Sequence, residues 1–467
     1  MKVAESRYIA GVRDAMDALE RALAAEFPYA SVLLQDTFGR RYTVSAGGIN
    51  VAVSAMNTGR GGVVRVHDGR GYGEYSFSAL SDDEVPAIMA GVRAMLPFSG
   101  GDPLPGYVKP LEFHKATECG IDPQEMDSGE IIRRLTELRR DAMAVDERVM
   151  DCMIMFEYQV IHKRFVSGCR RLEQDILWSS AAMNVMARRG EEIKEYYRSF
   201  SMLGGAEILD RIRGGVIDAV KGVIDLLDSE PMAPGEYECV CAPDVTGMIV
   251  HEAFGHGVEM DMFVKKRARA EQYVGKYVAS PLVTMHDTAC GREQTATYFF
   301  DDEGTIAEDT VIIEEGVLKK GICDRLSAER LAQTPTGNGR RESFERKAYT
   351  RMTNTYFEGG TDSVEDMIAS IKYGFLLENA FSGMEDPKNW GIQLMVNMAR
   401  EIRDGKLTGK VFSPVVMTGY VPDLLKSISM MSPDVKLEGG GACGKGYKEW
   451  VKVSDGGPYM KARIRLG

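Results

Sequence analysis

The sequence predicts an α+β protein in two parts. The first is an N-terminal α/β-sheet domain with helices, over residues 1–230. The second is a C-terminal mainly antiparallel β domain, over 231–467, that carries one short helix near its start. Three observations lead there. Tyr8, Val12, Met16, Leu19 and Leu23 recur at helical spacing, and β-rich segments separated by glycines follow them. Helical and strand-like periods then alternate as far as Leu227. Beyond Pro234-Gly235 the texture turns to strands and glycine turns.

The elements follow in order. Residues 3–26 read as one amphipathic helix. Segments 31–35, 41–45, 51–56, 62–67 and 71–77 read as an antiparallel meander. Ser81-Asp82-Asp83-Glu84 opens a second helix to about Leu96, with its acidic residues at the positive end. Residues 97–128, punctuated by Pro and Gly, read as an irregular connection with His114 as a loop histidine. A helix over 128–145, strands at 153–166 and 177–187, and a turn near Arg189-Gly190 come next. Segment 192–203 then leads into a long helix over 206–227 bearing Ile208, Ile212, Val216, Val220, Val223 and Leu227. The run from Asp228 to Gly235 is the expected domain boundary. A strand at 236–241 places Cys239 and Cys241 on one face, and Pro243-Asp244 starts a helix with Asp244 as its N-cap. Strands at 283–287, 310–314, 317–323, 390–399, 401–403, 406–408 and 411–418, with helices near 363–373 and 421–428, complete the chain.

Composition narrows the function. A net charge of −12 argues against non-specific nucleic-acid binding and against an anionic membrane surface. No apolar run reaches the roughly 18 residues of a membrane span, and the start, Met1 to Arg7, lacks a signal-peptide core. Eight cysteines show no CxxC spacing. A reducing cytoplasm is the expected setting.

The chain turns on Val250-His251-Glu252-Ala253-Phe254-Gly255-His256-Gly257-Val258-Glu259, which holds two of the six histidines. Imidazoles are common ligands of zinc and its neighbours. A carboxylate beside such an ion can act as a general base in hydrolysis. The pattern is H-E-x-x-x-H, one residue longer than H-E-x-x-H. On a regular helix His251 and His256 would point about 140° apart, too far to share an ion. A turn widened to about 4.4 residues would realign them, so the helix is expected to be widened or broken between them. The plain alternative is a helix with two polar residues at a packed surface. A buried helix ending in such groups must still satisfy them, and a metal does so.

Catalytic zinc commonly takes three protein ligands and keeps one position open. Glu259 and Asp261 are local candidates for the third ligand. Cys443, in the glycine-rich loop 438–446, is another, with Lys445 nearby to favour its thiolate.

At this point the residues resemble the TldD/PmbA family, and within it the motif-bearing TldD type. The resemblance is carried by the stretch from His251 to Glu259, Asp301-Asp302-Glu303-Gly304, Thr334 to Ser343, Arg351-Met352-Thr353-Asn354-Thr355-Tyr356 and Cys443-Gly444-Lys445, in order across about 236–467. The first 235 residues resemble the family in layout only. The resemblance implies a metalloprotease of unstructured or unfolded peptides. It implies that His251, His256 and Cys443 hold zinc, with iron as the other metal to consider, and that Glu252 is the catalytic base. It also implies a dimer enclosing a chamber, the partner being a PmbA (TldE) type subunit or a second copy. The chain departs from the family at Gly446-Tyr447-Lys448-Glu449-Trp450, at Asp455-Gly456-Gly457-Pro458 and over 383–390, which bears on substrate and partner. One rival reading is a non-catalytic peptide-binding subunit, opposed by the presence of all four site residues. A second rival is a hydrolase of non-peptide amides.

Overall fold

In the long strands of the first half, side chains alternate between two different environments. Val149–Ser167 and Arg170–Arg189 pair antiparallel along nearly their whole length. Tyr29–Ser45 joins the first of them, and Glu192–Leu203 joins the second. Gly59–His67, Tyr72–Phe77 and the hairpin strand Gly48–Val53 complete one side of an eight-stranded sheet. Ile154, Phe156, Tyr158 and Val160 project to one face, beneath helices Ser128–Met143, Ile208–Gly214 and Val216–Leu227. Farther along that face, Val32, Leu34 and Val166 pack under Arg13–Ala24 and Val85–Ala94. On the opposite face Leu33, Phe165, Leu172 and Ile176 meet Phe300, Ala289 and Tyr298 of the second half. The helices thus cover one side of the sheet and the C-terminal half covers the other.

That description comes from a computed structural model, which describes residues 1–54, 56, 58–106, 108–447 and 449–467. Ala55, inside the expected strand 51–56, and Lys448 lie outside the described residues.

The mixed α+β class is as expected, and several boundaries differ. Segments 31–35 and 41–45 are one strand, because Val149–Ser167 pairs across Phe38 and Gly39 without a register shift. The expected helix 3–26 breaks at Val12, between Arg7–Gly11 and Arg13–Ala24. The expected helix 206–227 breaks at Gly215, a poor helix former. Residues 97–128 include the strand Leu111–Ala116, which adds parallel to Arg170–Arg189. His114 therefore sits in a strand; no residue of that strand is fully buried, so it shows no alternation. Asp244 does not cap its own helix: Ala242 is the N-cap, and the Asp244 carboxylate accepts from the Ala380 amide at 3.1 Å.

In the second half Tyr373–Asp386, Gly235–Cys241, Met460–Leu466, Val415–Tyr420 and Gly391–Arg403 pair in sequence and close into a ring, because the first also pairs with the last. Segments 390–399 and 401–403 fuse in Gly391–Arg403, whereas 411–418 divides between Lys406–Phe412 and Val415–Tyr420. A second sheet runs from Val317–Leu318 through Asp309–Glu314, Met285–Thr288, Asn354–Phe357 and Ser454–Gly457 to Lys436–Glu438. Helix Pro243–Ile249 lies between the two sheets. Val245, Ile249, Val250 and Phe254 are wholly enclosed in the largest core. Burying each such side chain contributes about 1.5–3 kcal/mol.

Charged side chains join the halves. Arg65 bonds Glu303, Lys163 bonds Asp302, and Arg341 bonds Glu74 at 2.8 Å. The guanidinium of Arg340 donates to the carbonyls of Met352 and Lys452. These residues of the 301–304 and 334–343 motifs hold the structure together.

Candidate metal centre

Pro243 occupies the first helical turn, where its missing N–H costs nothing. The helix can approach strand Ser454–Gly457 closely because Gly247 has no side chain. A Cβ there would lie 2.6 Å from Asp455 Oδ1 and 2.7 Å from the Gly456 nitrogen. After Ile249 the backbone widens into a π-helix over Val250–Gly255, and a 3-10 turn follows over His256–Val258. The His256 amide bonds the His251 carbonyl, five residues back. This is the widening that the spacing of the two histidines requires.

The widened turn brings the imidazoles to 5.0 Å between centroids, at 85°. Cys443 meets them from a hairpin of Ala442–Lys445 with Glu449–Lys452, so it is strand-borne. That hairpin is held from beneath by buried Arg351, which donates to the carbonyls of Cys443 and Glu449. Cys443 Sγ lies 3.5 Å from His256 Nε2. One donor atom each from His251, His256 and Cys443 lie within 4.8 Å of one another.

An acid stands behind each imidazole, and one of the two is bonded to it. His256 Nδ1 faces Glu259 Oε2 at 3.2 Å. His251 Nδ1 has no hydrogen-bond partner among the described residues, and Asp455 Oδ2 stands 4.0 Å away. Glu259 is held by Lys445 Nζ at 2.9 Å, and the same ammonium reaches Asp261 at 2.7 Å and the Thr350 carbonyl at 2.9 Å. Glu259 and Asp261, the local candidates for a third ligand, are therefore engaged behind the site. Lys445 serves them. The thiol answers to the imidazoles: burial pushes Cys443 up, but charge and hydrogen bonding from His256 and His251 hold it well below its ordinary value. Burial likewise opposes the Glu259 carboxylate, and Lys445 with His256 brings it down to about 2.

Two neutral imidazoles and a thiolate are a donor set for zinc. An ion bound at about 2.0–2.3 Å needs donors roughly 3.3–3.6 Å apart. The sulfur–imidazole distance meets that, so the residues fit the metal. Glu252 lies in the π-turn between the histidines, its stem packed against Gly383. A second cluster, Glu5, His114 and Glu173, does not fit. There Arg13 and Arg164 already neutralise Glu173.

Sequence reasoning missed Asp455 and Glu385, which stand beside the site, and the anchoring role of Arg351. Asp455 and Glu385 lie in or next to stretches that depart from the family pattern. Only the fold brings them to the motif.

Residues 234–464 match the PmbA/TldA metallopeptidase C-terminal domain. A metalloprotease of Methanocaldococcus jannaschii is 26% identical over 91% of this chain and 94% of its own. A zinc metalloprotease TldD homolog of Saccharolobus solfataricus is 27% identical over 76% of this chain and 79% of its own. In structure, TldE from Thermococcus kodakarensis superposes with a TM-score of 0.77 at 18% identity, covering 97% of this chain and all (100%) of that one. The family model and the relatives define a metallopeptidase. The chain belongs to the TldD/PmbA family.

Proposed function

We propose that the chain is a zinc peptidase acting on unstructured or unfolded peptides, with His251, His256 and Cys443 holding the ion and Glu252 as general base. The convergence of the three donors, with Cys443 lying 187 residues beyond His256, carries this reading. Zinc, when bound there, would polarise the scissile carbonyl and acidify a water. The protein's own residues supply the rest. Glu259 holds the His256 ring so that its Nε2 faces Cys443. Glu252 takes the proton from the attacking water at its carboxylate and delivers it to the leaving amine. The buried walls exclude bulk water.

An extended substrate would gain affinity by main-chain pairing with exposed strand edges, which makes recognition weakly dependent on sequence. The likeness to TldE supports a chamber closed by a TldE-type subunit or by a second copy. We place the domain boundary near residues 230–231. We place the protein in a reducing cytoplasm, in keeping with eight unpaired cysteines. Among the described residues no helix is long and apolar enough to cross a membrane.

Purified protein assayed on unfolded casein and short peptides, with and without chelator, tests the reading. Cleavage that chelator abolishes and zinc restores is expected. Peptide binding without cleavage in the zinc-loaded protein would point to a non-catalytic subunit.

A further inference from the structure

Strand Tyr373–Asp386 crosses the metal-site turn, and two of its residues face that turn. A Cβ on Gly383 would lie 2.4 Å from Glu252 Cγ. Two residues on, and so on the same face, Glu385 reaches Gly257: a Cβ there would lie 2.8 Å from Glu385 Oε1. Both carboxylate oxygens of Glu385 are buried, with no hydrogen-bond partner among the described residues. The Gly257 amide faces the carboxylate but falls short of hydrogen-bond geometry. Glu385 is also among the residues lining a cleft of about 990 Å³, whose wall includes Met384, Gln393, Tyr420 and Arg463.

A buried carboxyl without a partner is costly, and a fold keeps one where a ligand completes it. Its surroundings say which ligand. Burial pushes the group well above its ordinary value, His256 opposes this, and Glu252 and Glu259 add to it. Two bare carboxylate oxygens on one group, packed on the turn that carries Glu252, call for a cation with several N–H donors. The main-chain cation every peptide carries is its terminal ammonium. The offset from Gly383 to Glu385 is about 7 Å along the strand, or roughly two residues of extended substrate. A peptide held at Glu385 by its amino terminus would present its first or second carbonyl beside Glu252.

We infer that Glu385 binds the α-ammonium of the substrate and makes this protein an amino-terminal exopeptidase that removes one or two residues per cut. The inference rests on the metallopeptidase reading above. Segment 383–390, where the chain departs from its family's pattern, would then determine specificity.

The test uses the zinc-loaded full chain with any subunit that co-purifies. Peptides of one sequence are compared with a free and with an acetylated amino terminus, with and without an internal lysine. Free peptides are expected to exceed acetylated ones in kcat/KM by about ten- to a hundredfold, the range of a charge-assisted hydrogen bond. Glu385→Gln should erase the difference, chiefly through KM, at parental zinc content; Glu385→Asp should recover part of it. Equal cleavage of both series overturns the inference and leaves the peptidase reading standing. So does a preference that follows internal lysine, or loss of zinc in both variants. Cleavage of neither series overturns the peptidase reading and this inference with it.

Discussion

Replacing Lys445 with Met removes the one ammonium shared by Glu259 and Asp261. All three side chains are nearly enclosed, with relative exposures of 12%, 2% and 10%. Against burial, Lys445 and His256 hold the Glu259 carboxyl at about 2, below its ordinary 4.5. A difference of that size corresponds to roughly 3 kcal/mol. Lys445 shares that shift with His256; breaking a buried pair by deleting one partner costs about 3–5 kcal/mol. The loss should appear as a fall in the thermal transition of the metal-free protein of roughly 3–5 °C. Because Glu259 orients His256, zinc affinity should also weaken by about 10- to 100-fold, measured by competition with a chelating dye. The sign with pH follows. Glu259 is depressed, so its contribution is full above about 4.5 and is lost as pH falls toward 2. The parental and variant melting curves should therefore converge in acid. A variant that melts and binds zinc like the parent at neutral pH would refute the role given to this triad.

Three further outcomes are expected. Cys443→Ser should lower zinc content by elemental analysis, and full occupancy would exclude the thiolate as a ligand. Glu252→Gln should retain zinc yet lose peptide cleavage by about 10²–10⁴-fold, the range for a general base. Burial pushes Asp301 up to about 7 and Asp455 up to about 6, so folding takes up protons between about pH 4 and 7. The melting temperature of the metal-free protein should accordingly fall as pH rises across that window, and a rise would contradict the burial of these carboxyls.

The sequence shows how much of the centre is local. The five-residue step from His251 to His256 cannot be met by a regular helix, so the π-turn was legible from spacing alone. The long-period helices and the change of texture near Gly235 likewise announced the α+β class. Other features were hidden because they depend on pairing over distance. Leu111–Ala116 is an edge strand with no fully buried residue, so it lacks the alternation that marks a strand. Tyr29–Ser45 runs through Gly39 because a neighbouring strand supports it, although the glycine looks like a turn. Cys443 read as loop-borne because its hairpin is fixed by Arg351, some 92 residues earlier in the chain. Lys445 appeared to serve the thiol, whereas the fold commits it to Glu259 and Asp261. Asp455 and Glu385 carry no motif, and only the packing of two strands against the widened turn puts them beside it.

Zinc-edge X-ray absorption on the loaded protein tests the coordination most directly. One sulfur at about 2.3 Å with two imidazole nitrogens at about 2.0–2.1 Å is the predicted first shell. A shell of nitrogen and oxygen alone, unchanged in Cys443→Ser, would contradict it.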